Sequence, residues 1–217
     1  MKTIILAIDP GFRFIGLATV EFQRGKTPVV KRTERIEVNV PKDGFGKSCQ
    51  EIVTRVIAVK LADDPEYLAV ESFRLFKGPR LHTKMKHHQV HKLIGASQRD
   101  IGERPSSQVV QWMKKLIRIL KEIGDKYFPD KTWLLDEHKI KNLIVGGTPR
   151  LQHSKKTTHR FMKNFIFHGE IDELSDQNCL DAVAIAVALW FILLEAGFVR
   201  EKKKRKTKIY KEKGLET

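Results

Sequence analysis

Cysteine is almost absent. Cys49 and Cys179 are the only two in 217 residues, too few for a disulfide framework and without the spacing of a thiolate metal site, so a reducing, intracellular setting is expected. Acidic charge is scarce as well: 26 Asp and Glu stand against 41 Lys and Arg, a formal net charge of +15. A field of that sign draws polyanions to the surface, which makes nucleic acid the first partner class and an anionic membrane the second. Long apolar runs are missing too. The longest uncharged stretch, Ala182 to Leu194, has 13 residues against roughly 20 for a membrane span, and it reads as a buried helix. The N-terminal "MKTIILAIDPG" carries one basic residue and a short apolar stretch that runs into a turn. With no small-residue cleavage site it reads as a strand and not as a signal peptide. The expectation is a cytoplasmic protein with no membrane partner.

What is present suffices for a core: 41% of the residues are apolar, in a length suited to one sizeable domain with an appendage. The domain is expected over 1–199 and a basic, solvated tail over 200–217, where "KKKRK" offers an extra non-specific grip on nucleic acid. Residues 3–9, 15–22 and 29–40 read as three strands of an antiparallel meander, 46–61 as a helix stopped by "DDPEY", and "YLAVES" as a fourth strand. Apolar residues at helical spacing predict an amphipathic helix over 106–124. "TWLLDEHKIKNLIVGG" reads as a strand and a short helical turn, "TTHRFMKNFIF" as a short helix capped by Thr157 or Thr158, and "SDQNCLDAVAIAVALWFILLEAG" as a long apolar helix. Between 73 and 92 there is no acidic residue, while Arg74, Lys77, Arg80, Lys84, Lys86 and Lys92 alternate with His82, His87, His88 and His91. "HHQVH" lacks Cys partners for a zinc site, and the segment reads as a basic, nucleic-acid-facing loop.

Three acidic residues are embedded in apolar sequence: Asp9 in "LAIDPG", Glu71 in "LAVES" and Asp181 in "NCLDAVAIA". Each has an ordinary explanation. Asp9 can cap the Pro-Gly turn, Glu71 can pair with Arg74, and Asp181 can answer the helix macrodipole. An ionised carboxylate in a low-dielectric setting costs several kcal/mol unless paired or bound to a cation, and three of them call for a common account. If the strands of Asp9 and Glu71 are neighbours and a helix packed on the sheet presents Asp181, the three form an all-oxygen site suited to Mg²⁺ or Mn²⁺. In a strongly basic chain, such a carboxylate cluster reads as a metal-dependent nuclease.

With those residues in view, the chain resembles the RuvC family of Holliday junction resolvases. "AIDPGFRFIG", "LAVES", "KIKNLIVGG" with "SKKTTHRFMKNFI", and "LDAVAIAVAL" match the family's motifs in order across residues 3 to about 195. The resemblance implies an α/β, RNase H-like fold: a central mixed five-stranded sheet, three antiparallel strands and then parallel ones, flanked by helices. It implies Asp9, Glu71 and Asp181 as catalytic metal ligands. The family's fourth ligand lies three residues before the last Asp, where this chain has Asn178, which can coordinate a metal through its side-chain carbonyl oxygen, though without charge. Asp176 substitutes only if it lies before the first helical turn, and its other role is a helix cap.

By the same resemblance Lys141 and either Lys155 or Lys156 contact phosphates. The family's base-stacking aromatic is replaced by Arg74, flanked by Phe73 and Phe76, and the stretch 77–105 is longer than its counterpart, bringing Lys77, Arg80, Lys84 and Lys86 toward DNA. The implied function is a structure-selective endodeoxyribonuclease that resolves four-way DNA junctions by paired symmetric nicks. It would use two Mg²⁺ or Mn²⁺ per site, as a homodimer with its interface on the helix 106–124. Two other readings stay open: an RNase H-like nuclease acting on other branched DNA or on RNA–DNA hybrids, and a non-catalytic junction-binding protein.

Overall fold

Ile5, Leu6, Ala7 and Ile8 are all fully buried, because β1 (Lys2–Asp9) lies in the middle of a sheet covered on both faces. The structure is a computed structural model that describes residues 2–11, 13–38, 40–72, 107–146, 155–168 and 176–197, the side chains of 40–43, 107–110, 155 and 165 excepted. β2 (Phe14–Gln23) and β3 (Val29–Glu37) follow β1 as an antiparallel meander. Helix α1 (Val40–Asp63) leads to β4 (Tyr67–Ser72), which pairs parallel with β1 on its other side. Helix α2 (Ser107–Tyr127) leads to β5 (Thr132–Asp136), parallel to β4. The sheet order β3-β2-β1-β4-β5 is the mixed arrangement of an RNase H-like fold.

Side-chain alternation along the strands sorts the core into two layers. On one face, Leu6, Ile8, Leu17, Leu68 and Val70 pack with Ile52, Val56 and Val59 of α1 and Trp112, Leu116 and Leu120 of α2. The apolar stripe predicted over 106–124 is therefore consumed by the protein's own core. The side of α2 left exposed carries Lys114, Lys115, Arg118, Lys121 and Glu122, so a dimer contact on this helix would be polar and not the apolar one its periodicity suggests.

On the opposite face, Ile5, Ala7, Ala18, Val20 and Ala69 pack with three further helical elements. These are α3 (Glu137–Val145), α4 (Lys155–Phe161) with its π-helical continuation Met162–Ile166, and α5 (Gln177–Glu195). Helix α5 is the central element, and its alternating alanines 182, 184, 186 and 188, at most 3% exposed, let its backbone lie close to the sheet. The Trp190 ring stacks on Phe22 at 5.2 Å. By length and composition α5 would suit a membrane span, with a mean hydropathy of 1.9, but 72% of it is buried within the protein, as a core helix is.

Several boundaries differ from the sequence expectation. β3 stops at Glu37; the Val38 N–H still bonds the Arg13 carbonyl at 2.8 Å in the same register, but the chain enters α1 at Val40 and the strand does not run to 40. α1 starts at Val40 and is broken at Gly44 (φ 77°), a left-handed position that favours glycine, so the predicted 46–61 matches only the part beyond the break. α4 starts at Lys155, which puts Thr157 and Thr158 inside the first turn and not at the cap. Segments 73–106, 147–154, 169–175 and 198–217, with the predicted basic loop and tail, lie outside the described residues.

Leu116 is fully buried between α2 and the sheet. Leu116→Ala is expected to lower the unfolding free energy by about 2–5 kcal/mol, measured by urea denaturation, which an exposed or interface-only position would not do.

Candidate functional site

A single row of residues crosses the sheet beneath the start of α5. Arg35 of β3 is paired with Gly16 of β2, and Gly16 with Asp9 of β1. Ile8 is paired with Val70, so Asp9 and Glu71 are the next residues along two adjacent parallel strands. Glu71 in turn is paired with Leu135 of β5. Ala7, Ala18 and Ala69, each two residues from a member of this row, all belong to the core layer under α5, and the period of two sends Asp9, Gly16 and Glu71 to that same face. The carboxylates thus sit at the C-terminal ends of parallel strands, where open α/β sheets form their crevices.

Gly16 is what lets α5 reach this row. A Cβ on it would lie 2.1 Å from the Asn178 carbonyl oxygen, well inside van der Waals contact, so only glycine allows the first turn of α5 to rest on β2 beside Asp9. Gly11 is under a comparable constraint in the turn after Asp9, where a Cβ would meet the Phe14 carbonyl oxygen at 2.0 Å. The two glycines of "DPGFRFIG" therefore have separate tasks: one shapes the turn and the other admits the helix.

Asp181, one turn into α5, is 8% exposed; Asp9 and Glu71 are 6% and 9% exposed. Glu71 and Asp181 line a common cavity of about 20 Å³ with Lys141, Glu137, Ile140 and Thr158, room for roughly one water-sized occupant. Lys141 is placed there by α3. Asp136 ends β5 and caps α3, its Oδ1 accepting from the Lys139 N–H at 3.0 Å, while Ile140 and Ile144 anchor the helix in the core. The Lys141 ammonium is 17% exposed and ion-paired with Glu137 one turn back.

Asp176 is committed elsewhere. It caps α5, its Oδ1 accepting from the Asn178 and Cys179 N–H groups at 2.9 and 3.1 Å, and its Oδ2 pairs with Arg35 at 3.0 Å. The Arg35 guanidinium also lies over the Phe14 ring, 4.8 Å from its centroid. Of the two roles open to Asp176 in the sequence, the structure supplies the cap. Burial acts to raise its carboxyl pKa, but the two backbone N–H groups and Arg35 outweigh it and hold the group below its ordinary value. Asn178 lies beside the row through its backbone. The Cys179 thiol is pushed up to about 11, by burial first and then by Asp176, so it stays protonated at neutral pH and is inert as a nucleophile.

His159 of α4 was not singled out in the sequence. It is 7% exposed, with its Nε2 2.8 Å from Asp181 Oδ1 and its Nδ1 2.6 Å from the Gln177 amide nitrogen. The sequence held a faint signal: His159 falls in register with Met162 and Ile166, a histidine within an apolar helical stripe. Its partner lies 22 positions away, beyond the reach of any local pattern. Lys156 is exposed on α4, away from the lining of the cavity. Lys155 begins that helix, and its side chain is outside the described residues, as are Phe73, Arg74, Phe76, Lys77, Arg80, Lys84 and Lys86.

Among the described residues, no three His, Cys, Asp or Glu side chains form a ready-made metal cage. The donors nonetheless suit Mg²⁺ or Mn²⁺: they are hard carboxylate oxygens, nearly buried, with space for one small occupant between two of them. Mg²⁺ usually keeps several waters and takes one or two carboxylates together with substrate phosphates, so a closed all-protein cage is not the form to expect.

The mixed sheet and its flanking helices are those of an α/β, RNase H-like fold. Among solved structures, Thermus thermophilus RuvC in complex with a Holliday junction substrate is similar at TM-score 0.60 and 14% identity, covering 90% of this chain and 97% of that one. Another Thermus thermophilus RuvC structure is similar at TM-score 0.59 and 17% identity with the same coverage. The yeast mitochondrial Holliday junction resolvase Ydc2 is similar at TM-score 0.51 and 10% identity, covering 89% of this chain and 81% of that one. No protein-family model matches the chain, and no curated protein matches it in sequence.

Two substitutions probe this geometry. Gly16→Ala is expected to cost about 1–3 kcal/mol in urea unfolding, because the new methyl displaces the first turn of α5. Asp176→Ala is expected to cost about 0.5–2 kcal/mol as a lost cap. Because the folded pKa of Asp176 is depressed, the wild-type advantage is complete above about pH 4 and fades as the pH falls through the lowered value; urea titrations from pH 7 to pH 2.5 would follow it.

Proposed function

We propose that this chain is a metal-dependent endonuclease that resolves four-way DNA junctions by paired nicks, acting as a homodimer inside the cell. The observation that carries the reading is the set of buried carboxylates around the start of α5: Asp9 and Glu71 at adjacent strand ends, and Asp181 on the helix, lining one cavity with Glu71 and Lys141. The likeness of fold to resolvases along nine-tenths of the chain supports the substrate class.

In this reading Asp9, Glu71 and Asp181 hold one or two divalent cations, which when bound supply an acidified water and stabilise charge on the leaving oxygen. The chain's own work is binding and orientation. Its net charge of +15 gathers the DNA backbone at the surface through release of counterions. Lys141, tethered by Glu137, offers a cation to the scissile phosphate without swinging freely. The apolar residues around the cavity, Ile140, Ala184 and Ile185, limit bulk water and so strengthen each charge interaction in it. A two-fold pair of protomers would present two such sites to opposite strands of one junction.

Asp9→Asn is expected to reduce nicking of a mobile four-way junction to the level without protein, while junction binding in a gel-shift assay stays within a few-fold of wild type. Retained cleavage would overturn the assignment of Asp9. Equal cleavage of plain duplex or of an RNA–DNA hybrid would overturn the junction as substrate.

A further inference from the structure

Most of the carboxylate site is built from residues that the chain's motifs announce, but one buried group near it, though it lies within "SKKTTHRFMKNFI", has no role there. His159 is 7% exposed and bridges two residues of α5 from a different helix, with Nε2 2.8 Å from Asp181 Oδ1 and Nδ1 2.6 Å from the Gln177 amide nitrogen. An imidazole has one donor and one acceptor nitrogen when neutral. A carboxylate only accepts, so the proton donated to Asp181 is the one on Nε2, while the Gln177 amide nitrogen lies 2.6 Å from Nδ1 and 3.2 Å from Nε2. That hydrogen bond fixes one carboxylate oxygen and the rotation of the whole group, and leaves Oδ2 as the oxygen not engaged by the imidazole.

We propose that His159 is a positioning residue for Asp181, reaching from α4 to brace the carboxylate that α5 presents to the metal. The proposal rests on the metal-site reading above. It accounts for two features together. Asn178 stands on α5 where a further charged ligand would be one turn from Asp181, so α5 supplies a single acidic side chain to the cluster, Asp176 being held by its cap and Arg35. Rotation about the χ angles of a carboxylate would spread its oxygens over several positions, and a hydrogen bond from a second helix narrows that range for Asp181. Groups that hydrogen-bond metal-ligating side chains commonly govern 10–100-fold in metal affinity. Helix α4 also contributes the next residue back, Thr158, to the lining of the cavity, so its docking against α5 sets both walls at once.

The test is Mn²⁺ binding to the full chain, followed by the free-ion EPR signal, with thermal melting in chelator as the control for folding. His159→Leu is expected to weaken Mn²⁺ binding by about 10–100-fold, whereas His159→Gln, whose amide nitrogen can replace the Nε2 donor, should stay within about threefold of wild type. The exposed Gln177→Ala removes the bond that orients the ring and should weaken binding by a smaller factor, without depending on a buried substitution. Loss of affinity in His159→Gln as large as in His159→Leu would overturn the bracing role in favour of a direct ligand or of packing. Unchanged affinity in both His159→Leu and Gln177→Ala would overturn it outright. If wild type and Asp9→Asn alike fail to take up Mn²⁺, the metal-site reading itself fails, and the proposal with it.

Discussion

The contact between the first turn of α5 and the floor of β2 governs the rest of the site. With the Asn178 carbonyl held where a Gly16 Cβ would otherwise stand, α5 comes down onto the sheet at the residue paired with Asp9, and Asp181 follows one turn later. Any side chain at position 16 would raise the helix start. The carboxylate of α5 would then leave the cavity it shares with Glu71. A backbone-on-backbone approach of this kind tolerates little adjustment, because neither partner has a rotamer to change.

Around that contact the chain arranges braces of decreasing polarity. Asp176 ties the helix end to Arg35 on the far side of Gly16, and Arg35 is held in turn over Phe14. His159 and Gln177 tie the same end to α4. On the apolar side, the buried alanines of α5 and the Trp190–Phe22 stack secure the length of the helix. These interactions hold the start of α5 on the sheet from several sides, as the proposed carboxylate site would require.

The exposed charge serves a different end. Many surface ion pairs here, such as Lys2 and Lys31 with Glu21 or Arg118 with Glu122, add little stability individually. They leave a large excess of positive charge, whose main physical consequence is attraction of a polyanion. Stability comes from the two apolar layers, and the excess of positive charge is left to the surface.

Local pattern determined a good deal. The five strands, the core helix α5 and the embedded acids Asp9, Glu71 and Asp181 were legible because each is written in periodicity or in a polar residue set within an apolar run. So was the mixed character of the sheet, although through resemblance of motifs and not through spacing alone; the strand order came with the structure. Tertiary structure decided what pattern could not express. The apolar stripe of α2 is spent on the core, since burial against the sheet competes with burial against a partner and here the sheet takes it. Asp176 became a cap because two backbone N–H groups and Arg35, 141 positions away in the chain, converge on it. His159 acquired its place beside Asp181 because two helices meet there, and a hydrogen bond between distant segments leaves no mark on the residues around either end.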